Sequence, residues 1–163
     1  MAITNSVNLT DGLDGLAGSV SLVYLLFLGL LIILQGQVHL SYDMLSLIIC
    51  FVGGLLSFLF FNVNKAKVFM GDTGSLALGG LIGSISIFTN NTLIIPFLGI
   101  AFVVSSLSVI IQVLYYKKTK RRVFLMAPFH YHLQLKGYSE AKIGYIYSLV
   151  TVIMGTLLLI CYL

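Results

Sequence analysis

Forty-four consecutive residues, 73–116, carry no charged side chain. That run decides the solvent in which this chain folds. A helix crosses a bilayer with roughly 20 apolar residues, so the run is too long for one crossing. The polar cluster Thr89-Asn90-Asn91-Thr92 inside it is a turn signal. Division there predicts a short span over 75–88 and a longer one over 93–116. Pro96 falls in the first turn of the longer span, where a missing N–H costs little. The same reasoning predicts spans over 16–34, over 44–63 once Asp43 has interrupted, and over 143–163. These runs are apolar on all sides, as lipid or a bundle interior requires.

The expected fold is therefore all-α: a polytopic transmembrane helix bundle of about five spans, with residues 1–163 as a single transmembrane domain. Composition agrees, with 59% hydrophobic and 9% charged residues, against about 25% charged in soluble domains. Lipid accepts that apolar surface and water does not. No basic segment follows Met1, so a cleavable signal peptide is not expected. Cys50 and Cys161 sit in apolar runs without metal-binding neighbours and read as small apolar fillers.

A net charge of +4 does not indicate nucleic acid, because the charges lie in gaps between apolar runs. Five spans put residues 1–15, 64–73 and 117–142 on one face, and the loops 36–43 and 89–92 on the other. All nine basic residues, Lys65, Lys67, Lys117, Lys118, Lys120, Arg121, Arg122, Lys136 and Lys142, fall on the first face. The positive-inside rule makes that face cytoplasmic, and the basic run 117–122 can meet anionic membrane lipid there.

Chemistry is expected on the same face. Asp11, Asp14 and Asp72 stand at mouths of spans in glycine-punctuated segments. Asn8, Asp11 and Asp14 are spaced by three and would share a face if helical, although Gly12 and Gly15 favour a loop. Two close carboxylates repel unless a cation, a basic neighbour or a hydrogen-bonding ligand relieves them; solvated turn residues are the simpler alternative. Asp72 opens the span over 75–88, where it can hold Mg²⁺ for a phosphate or merely cap the helix with Thr73. Pro128 pushes Ala127 towards extended geometry. If the chain stays extended, His130 and His132 point to one side, to bind phosphate, relay protons or ligate metal; interfacial polar residues are the alternative. Jointly these segments suggest a site for a phosphate-bearing substrate at the bilayer surface.

Three motifs carry a resemblance. Asn8-Leu9-Thr10-Asp11-Gly12-Leu13-Asp14-Gly15-Leu16-Ala17, the segment 68–80 around Phe69-Met70-Gly71-Asp72-Thr73-Gly74-Ser75, and the segment 126–140 around Pro128-Phe129-His130-Tyr131-His132 occur in order over essentially the whole chain. It resembles the C-terminal half of the phospho-N-acetylmuramoyl-pentapeptide transferases, in the polyprenyl-phosphate N-acetylhexosamine-1-phosphate transferase superfamily. The resemblance implies that phospho-MurNAc-pentapeptide passes from UDP to undecaprenyl phosphate with Mg²⁺, giving lipid I and UMP. That is the first membrane step of peptidoglycan synthesis, on which cell-wall biogenesis, cell shape and division depend, at the bacterial plasma membrane. Residue by residue it implies Asp72 as the Mg²⁺ ligand and Asp11, Asp14 and Asp72 as the catalytic group. Asn8 would line the pocket, Phe69 would stack on uracil, and His130 and His132 would contact the sugar-phosphate side.

The resemblance also implies a ten-span fold, of which this chain is half. The missing N-terminal half would carry an Asp-Asp pair with a nearby Lys, so the chain alone is expected to be inactive. A homodimer is left open. Tyr131 replaces the family's central histidine, and Ser105-Ser106 stands where Glu-Thr is usual. A related UDP-N-acetylglucosamine polyprenyl-phosphate transferase and a non-catalytic membrane fragment are the alternatives. A transporter is not favoured, because the spans hold no charge.

Overall fold

A computed structural model describes residues 1–36, 38–63 and 65–162. Gln37, Asn64 and Leu163, which the sequence assigns to the outer loop, the basic loop and the end of the last span, lie outside the described residues, as do the side chains of 38–41. Every regular element described is helical: α1 (Ala2–Thr10), α2 (Leu16–Gln35), α3 (Val38–Asn62), α4 (Gly71–Phe88), a 3-10 turn (Thr92–Ile94), α5 (Ile95–Leu98), α6 (Ile100–Thr119), α7 (Phe129–Leu135) and α8 (Glu140–Tyr162).

Four segments are long and apolar enough to cross a membrane: Leu16–Gln35, Tyr42–Asn62, Ile100–Thr119 and Glu140–Tyr162. α4 is shorter and carries Asp72 in its first turn. Its 18 residues rise about 27 Å, close to the roughly 30 Å of a hydrocarbon core. It also joins the two ends of the bundle. At one end Asp14 meets Ala66 and Glu140, and Tyr131 meets Gly12. At the other end Gln35 Nε2 donates to Asn91 Oδ1 at 2.6 Å and to the Tyr162 hydroxyl at 3.3 Å. The segments assigned to one face by parity and charge thus lie together, and α4 runs from that end to the other.

α2 is the hub. Leu16, Val20, Tyr24, Leu25, Leu28 and Leu31 are fully buried, with α3 and α8 against it, while α1 lies against α4 and α6. Lipid is as apolar as leucine, so helices in a membrane associate through close packing rather than exclusion of water. α1 packs closely on α4, backbone against backbone. A Cβ added at Gly79 would lie 2.6 Å from the Thr4 Cα and 3.1 Å from the Thr4 carbonyl oxygen.

The boundaries differ from expectation where local polarity misleads. Asp43 does not interrupt a span, because α3 already begins at Val38 and one carboxylate near a helix end reaches the interface. α4 starts four residues early and takes Asp72 into its first turn. The span expected over 93–116 is broken at Gly99, between α5 and α6. The Ile95 carbonyl would lie 2.7 Å from a Cβ there, so only glycine lets the chain turn this closely. Residues 129–135 form α7 instead of staying extended. His130 and His132, two positions apart on a helix, therefore do not point to one side. Asn8 lies in α1, Asp11 caps it and Asp14 lies in the following turn, so these three share no helical face.

Candidate active site

The site is assembled from four chain segments that converge at one end of the bundle. α1 delivers Asn8, whose Nδ2 donates to Asp72 Oδ1 at 2.9 Å and to Ser75 Oγ at 3.0 Å. Ser75 in turn donates to the Gly71 carbonyl at 2.9 Å. These bonds bind the first motif to the second across the α1–α4 crossing. Asp72 makes no capping bond; α4 has no side-chain cap. Its Oδ1 takes the Asn8 amide, and the residue is exposed.

Asp11 is half-buried beside it. Burial first, and then the charge of Asp72, hold its carboxyl above the usual carboxylate range, with the Gly71 backbone amide acting in the opposite direction. A cation held by Asp11 and Asp72 would cancel their repulsion and offset the cost of burying the Asp11 charge. The neighbouring cleft, of about 290 Å³, is lined by Asp11, Asp14 and Glu140 among others, and among the described residues no lysine or arginine stands in its wall. Among the described residues no three metal-binding side chains converge, so there is no closed protein cage. Mg²⁺ characteristically takes one or two carboxylates and completes its shell with water and substrate phosphates. The hard oxygen donors of Asp72 and Asp11 fit that pattern.

Asp14 lines the same cleft, but its carboxylate is engaged elsewhere: Oδ2 accepts the Ala66 N–H at 2.8 Å. Its own N–H donates to Glu140 Oε2 at 3.2 Å, and Glu140 Oε1 accepts from Gln134 Nε2 at 2.9 Å. Phe69 stands in the cleft wall with 74% of its surface exposed, free to stack on a planar ligand.

The two histidines separate. His130 is fully buried, with no hydrogen-bond partner among the described residues for either ring nitrogen. Its ring occupies the place that a Cβ on Gly12 would take. Burial pushes its imidazole down to about 4, so it is uncharged at neutral pH. His132 faces elsewhere: its Nδ1 accepts the Leu125 N–H at 3.1 Å, and its ring stacks on Phe129. Neither lines the cleft. Tyr131 does, donating from its hydroxyl to the Gly12 carbonyl at 3.0 Å, a contact within reach of its longer side chain. Ser105 is buried and bonded to the Ala101 carbonyl of its own helix, while Ser106 Oγ donates to Ser6 Oγ at 2.7 Å.

Sequence reasoning missed Asn62 and Glu140. Asn62 is 6% exposed; its Oδ1 accepts the Gly15 N–H at 2.9 Å and its Nδ2 donates to the Val68 carbonyl at 2.7 Å. A lone amide at the end of an apolar run was the available signal, since a polar group at membrane depth needs a partner. Glu140 appeared only as the last residue of the third motif, with no role read into it.

The sequence pattern of glycosyl transferase family 4 matches residues 1–90. Among similar proteins, the phospho-N-acetylmuramoyl-pentapeptide-transferase of Clostridium perfringens (strain 13 / Type A) is 46% identical over 151 residues, covering 93% of this chain and 46% of the relative. The proteins of the same name from Dictyoglomus turgidum and Dictyoglomus thermophilum are 48% and 46% identical, over 94% and 97% of this chain and 48% and 51% of their own length. The chain spans about half the length of the curated relatives it matches.

Proposed function

The chain belongs to glycosyl transferase family 4, and on that premise we propose that it supplies the acidic part of a site transferring phospho-MurNAc-pentapeptide from UDP to undecaprenyl phosphate. In that reaction an oxygen of the lipid phosphate attacks the sugar-bearing phosphorus of the donor. The bond from that phosphorus to the oxygen bridging the two phosphates breaks, UMP leaves with that oxygen, and lipid I forms. The names of the similar proteins support this donor. The observation that carries the reading is the Asn8–Asp72 bond beside a half-buried Asp11, because it brings two carboxylates together with no lysine or arginine among the described residues of the adjoining wall.

Phosphoryl transfer depends on positioning and charge neutralisation more than on covalent help. Mg²⁺ bound at Asp72 would neutralise diphosphate charge and stabilise the departing UMP. The chain's own groups do the rest. Asn8 holds Asp72 in place, Asp11 adds the second negative oxygen donor, and Phe69 offers its ring to the uracil. A buried, uncharged His130 supports the acidic turn from beneath and does not act as a phosphate-binding cation. His132, tied to Leu125, orders the segment between α6 and α7 beside the sugar-phosphate side of the donor. The one-sided lysines and arginines support a cytoplasmic site in the bacterial plasma membrane, where the nucleotide donor is available.

The test is a chimaera in which this chain replaces the corresponding segment of a full-length relative. UMP release from UDP-MurNAc-pentapeptide is followed in membranes supplied with undecaprenyl phosphate and Mg²⁺. Turnover dependent on both lipid and metal is expected. A chimaera that inserts normally yet releases no UMP would falsify the proposal.

A further inference from the structure

The two aspartates of the first motif face different partners. Asp11 interacts with Asp72. Asp14 Oδ2 receives the Ala66 amide at 2.8 Å, and its own backbone is held by Glu140 across 126 residues of sequence. Beside it, Asn62 bridges the Gly15 amide and the Val68 carbonyl. We infer that Asp14 serves the cleft as a positioning residue: with Asn62 it clamps the loop 65–70 to the acidic turn, and so sets where Phe69 stands.

The clamp grips the loop at Ala66 and at Val68, the residue immediately before Phe69. Phe69 has no burial of its own to hold it, being 74% exposed, so its backbone neighbours determine where the ring is presented. Lys65 adds a conformational reason for the grip. It has φ +76°, a region that costs a non-glycine residue about 1 kcal/mol or more, so the loop needs external bonds to persist. A carboxylate accepting an amide is a charge-assisted bond, stronger than a neutral one. Each clamp bond crosses at least one loop boundary: Asp14 joins the turn after α1 to the loop after α3, and Asn62 joins the end of α3 to both. The clamp itself is independent of what binds; its use for a nucleobase rests on the proposed function.

An acceptor oxygen is all that this role requires of residue 14, whereas a ligand-binding or catalytic acid must carry charge. Asp14→Asn keeps an acceptor and loses the charge; Asp14→Ala loses both. Two readouts separate the possibilities. The first is hydrogen exchange at the Ala66 amide in detergent or nanodiscs, which needs no ligand. The second uses the absence of tryptophan from the chain: Phe69→Trp gives a single tryptophan, excited selectively over the tyrosines and titrated with UMP and Mg²⁺. Losing a bond to a charged acceptor predicts Ala66 exchange about tenfold faster or more in Asp14→Ala. Asp14→Asn should restore protection to within about threefold of the parent, as expected when only the charge-assisted part is lost, and should restore the UMP response with it. Asn62→Ala should loosen the same segment.

The clamp is overturned if Asp14→Ala leaves Ala66 exchange unchanged, or if Asp14→Asn protects Ala66 and still loses UMP as completely as alanine does. Where Asp14→Ala does not fold, Asp14→Asn carries the test: exchange at Ala66 about tenfold faster overturns the inference. Protection that follows these expectations while Phe69→Trp ignores UMP supports the clamp and counts against the nucleotide reading.

Discussion

Gly79→Ala probes how tightly the active end is set by helix packing. The new methyl would sit 2.6 Å from the Thr4 Cα and 3.2 Å from the Ile3 carbonyl oxygen. Both are backbone atoms of α1, which cannot rotate away, so the helix must retreat by about 1 Å to regain ordinary contact near 3.5–4 Å. Asn8 lies one turn beyond Thr4 on the same face of α1. A retreat of that size stretches its 2.9 Å bond to Asp72 towards about 3.9 Å, past hydrogen-bonding range. Overpacking costs about 1–3 kcal/mol. The bond adds about 1 kcal/mol, less than a buried bond to a charged acceptor because Asp72 is exposed. Their sum, about 3 kcal/mol, corresponds to a melting shift of about 6–12 °C for a chain of this size. Circular dichroism melts in detergent would measure it. Gly80→Ala is the control, because nothing lies within 4 Å of a Cβ there; it should be neutral or gain up to about 1 kcal/mol of helix propensity. If the packing acts partly through Asn8, the losses in Gly79→Ala and Asn8→Ala must be less than additive. Equal melts for the two glycine variants, or simple additivity with Asn8→Ala, would refute the reasoning.

Asp72→Asn in the chimaera should lower kcat/KM by more than the roughly 10–100-fold typical of groups outside a metal's ligand shell, and flatten the Mg²⁺ dependence. Near-normal turnover would return Asp72 to a merely structural role. His130→Met should flatten the acid limb of the stability curve. An imidazole lowered to about 4 when folded and near 6.5 when unfolded contributes stability above about pH 6.5 that is lost as pH falls towards 4. Parent-minus-variant melts at pH 7 and pH 5 read this difference, and equal pH dependence in the two proteins contradicts the burial. For topology, cysteines introduced at positions 41 and 120, with the exposed Cys50 and Cys161 replaced, should be labelled from outside the cell at 41 alone. Protection at 41 together with external labelling at 120 sinks the orientation.

Sequence by itself determined the apolar spans, the helical class and the end of the bundle at which the acids of the motifs gather. These depend on local quantities: the length of an uncharged run, the cost of an unpaired backbone group in lipid, and the side on which lysines and arginines accumulate. Even the kinship was local, carried by three short motifs. Tertiary structure alone decided which polar groups meet. Asn8 and Asp72 are 64 residues apart in the chain, and no periodicity predicts that Gly79 lets α1 settle deeply enough on α4 for them to bond. The histidines looked paired because alternation in a strand puts i and i+2 on one side; docking of α7 made them helical and sent one into the core. Asp11 and Asp14 looked equivalent by residue type and spacing, and only the fold distinguishes them: the start of α4 gives one a second carboxylate as neighbour, and the loop after α3 gives the other a backbone amide. Spacing along a chain reports what a segment could present, whereas the partner each group finds depends on helices whose contact is set by packing between residues far apart in sequence.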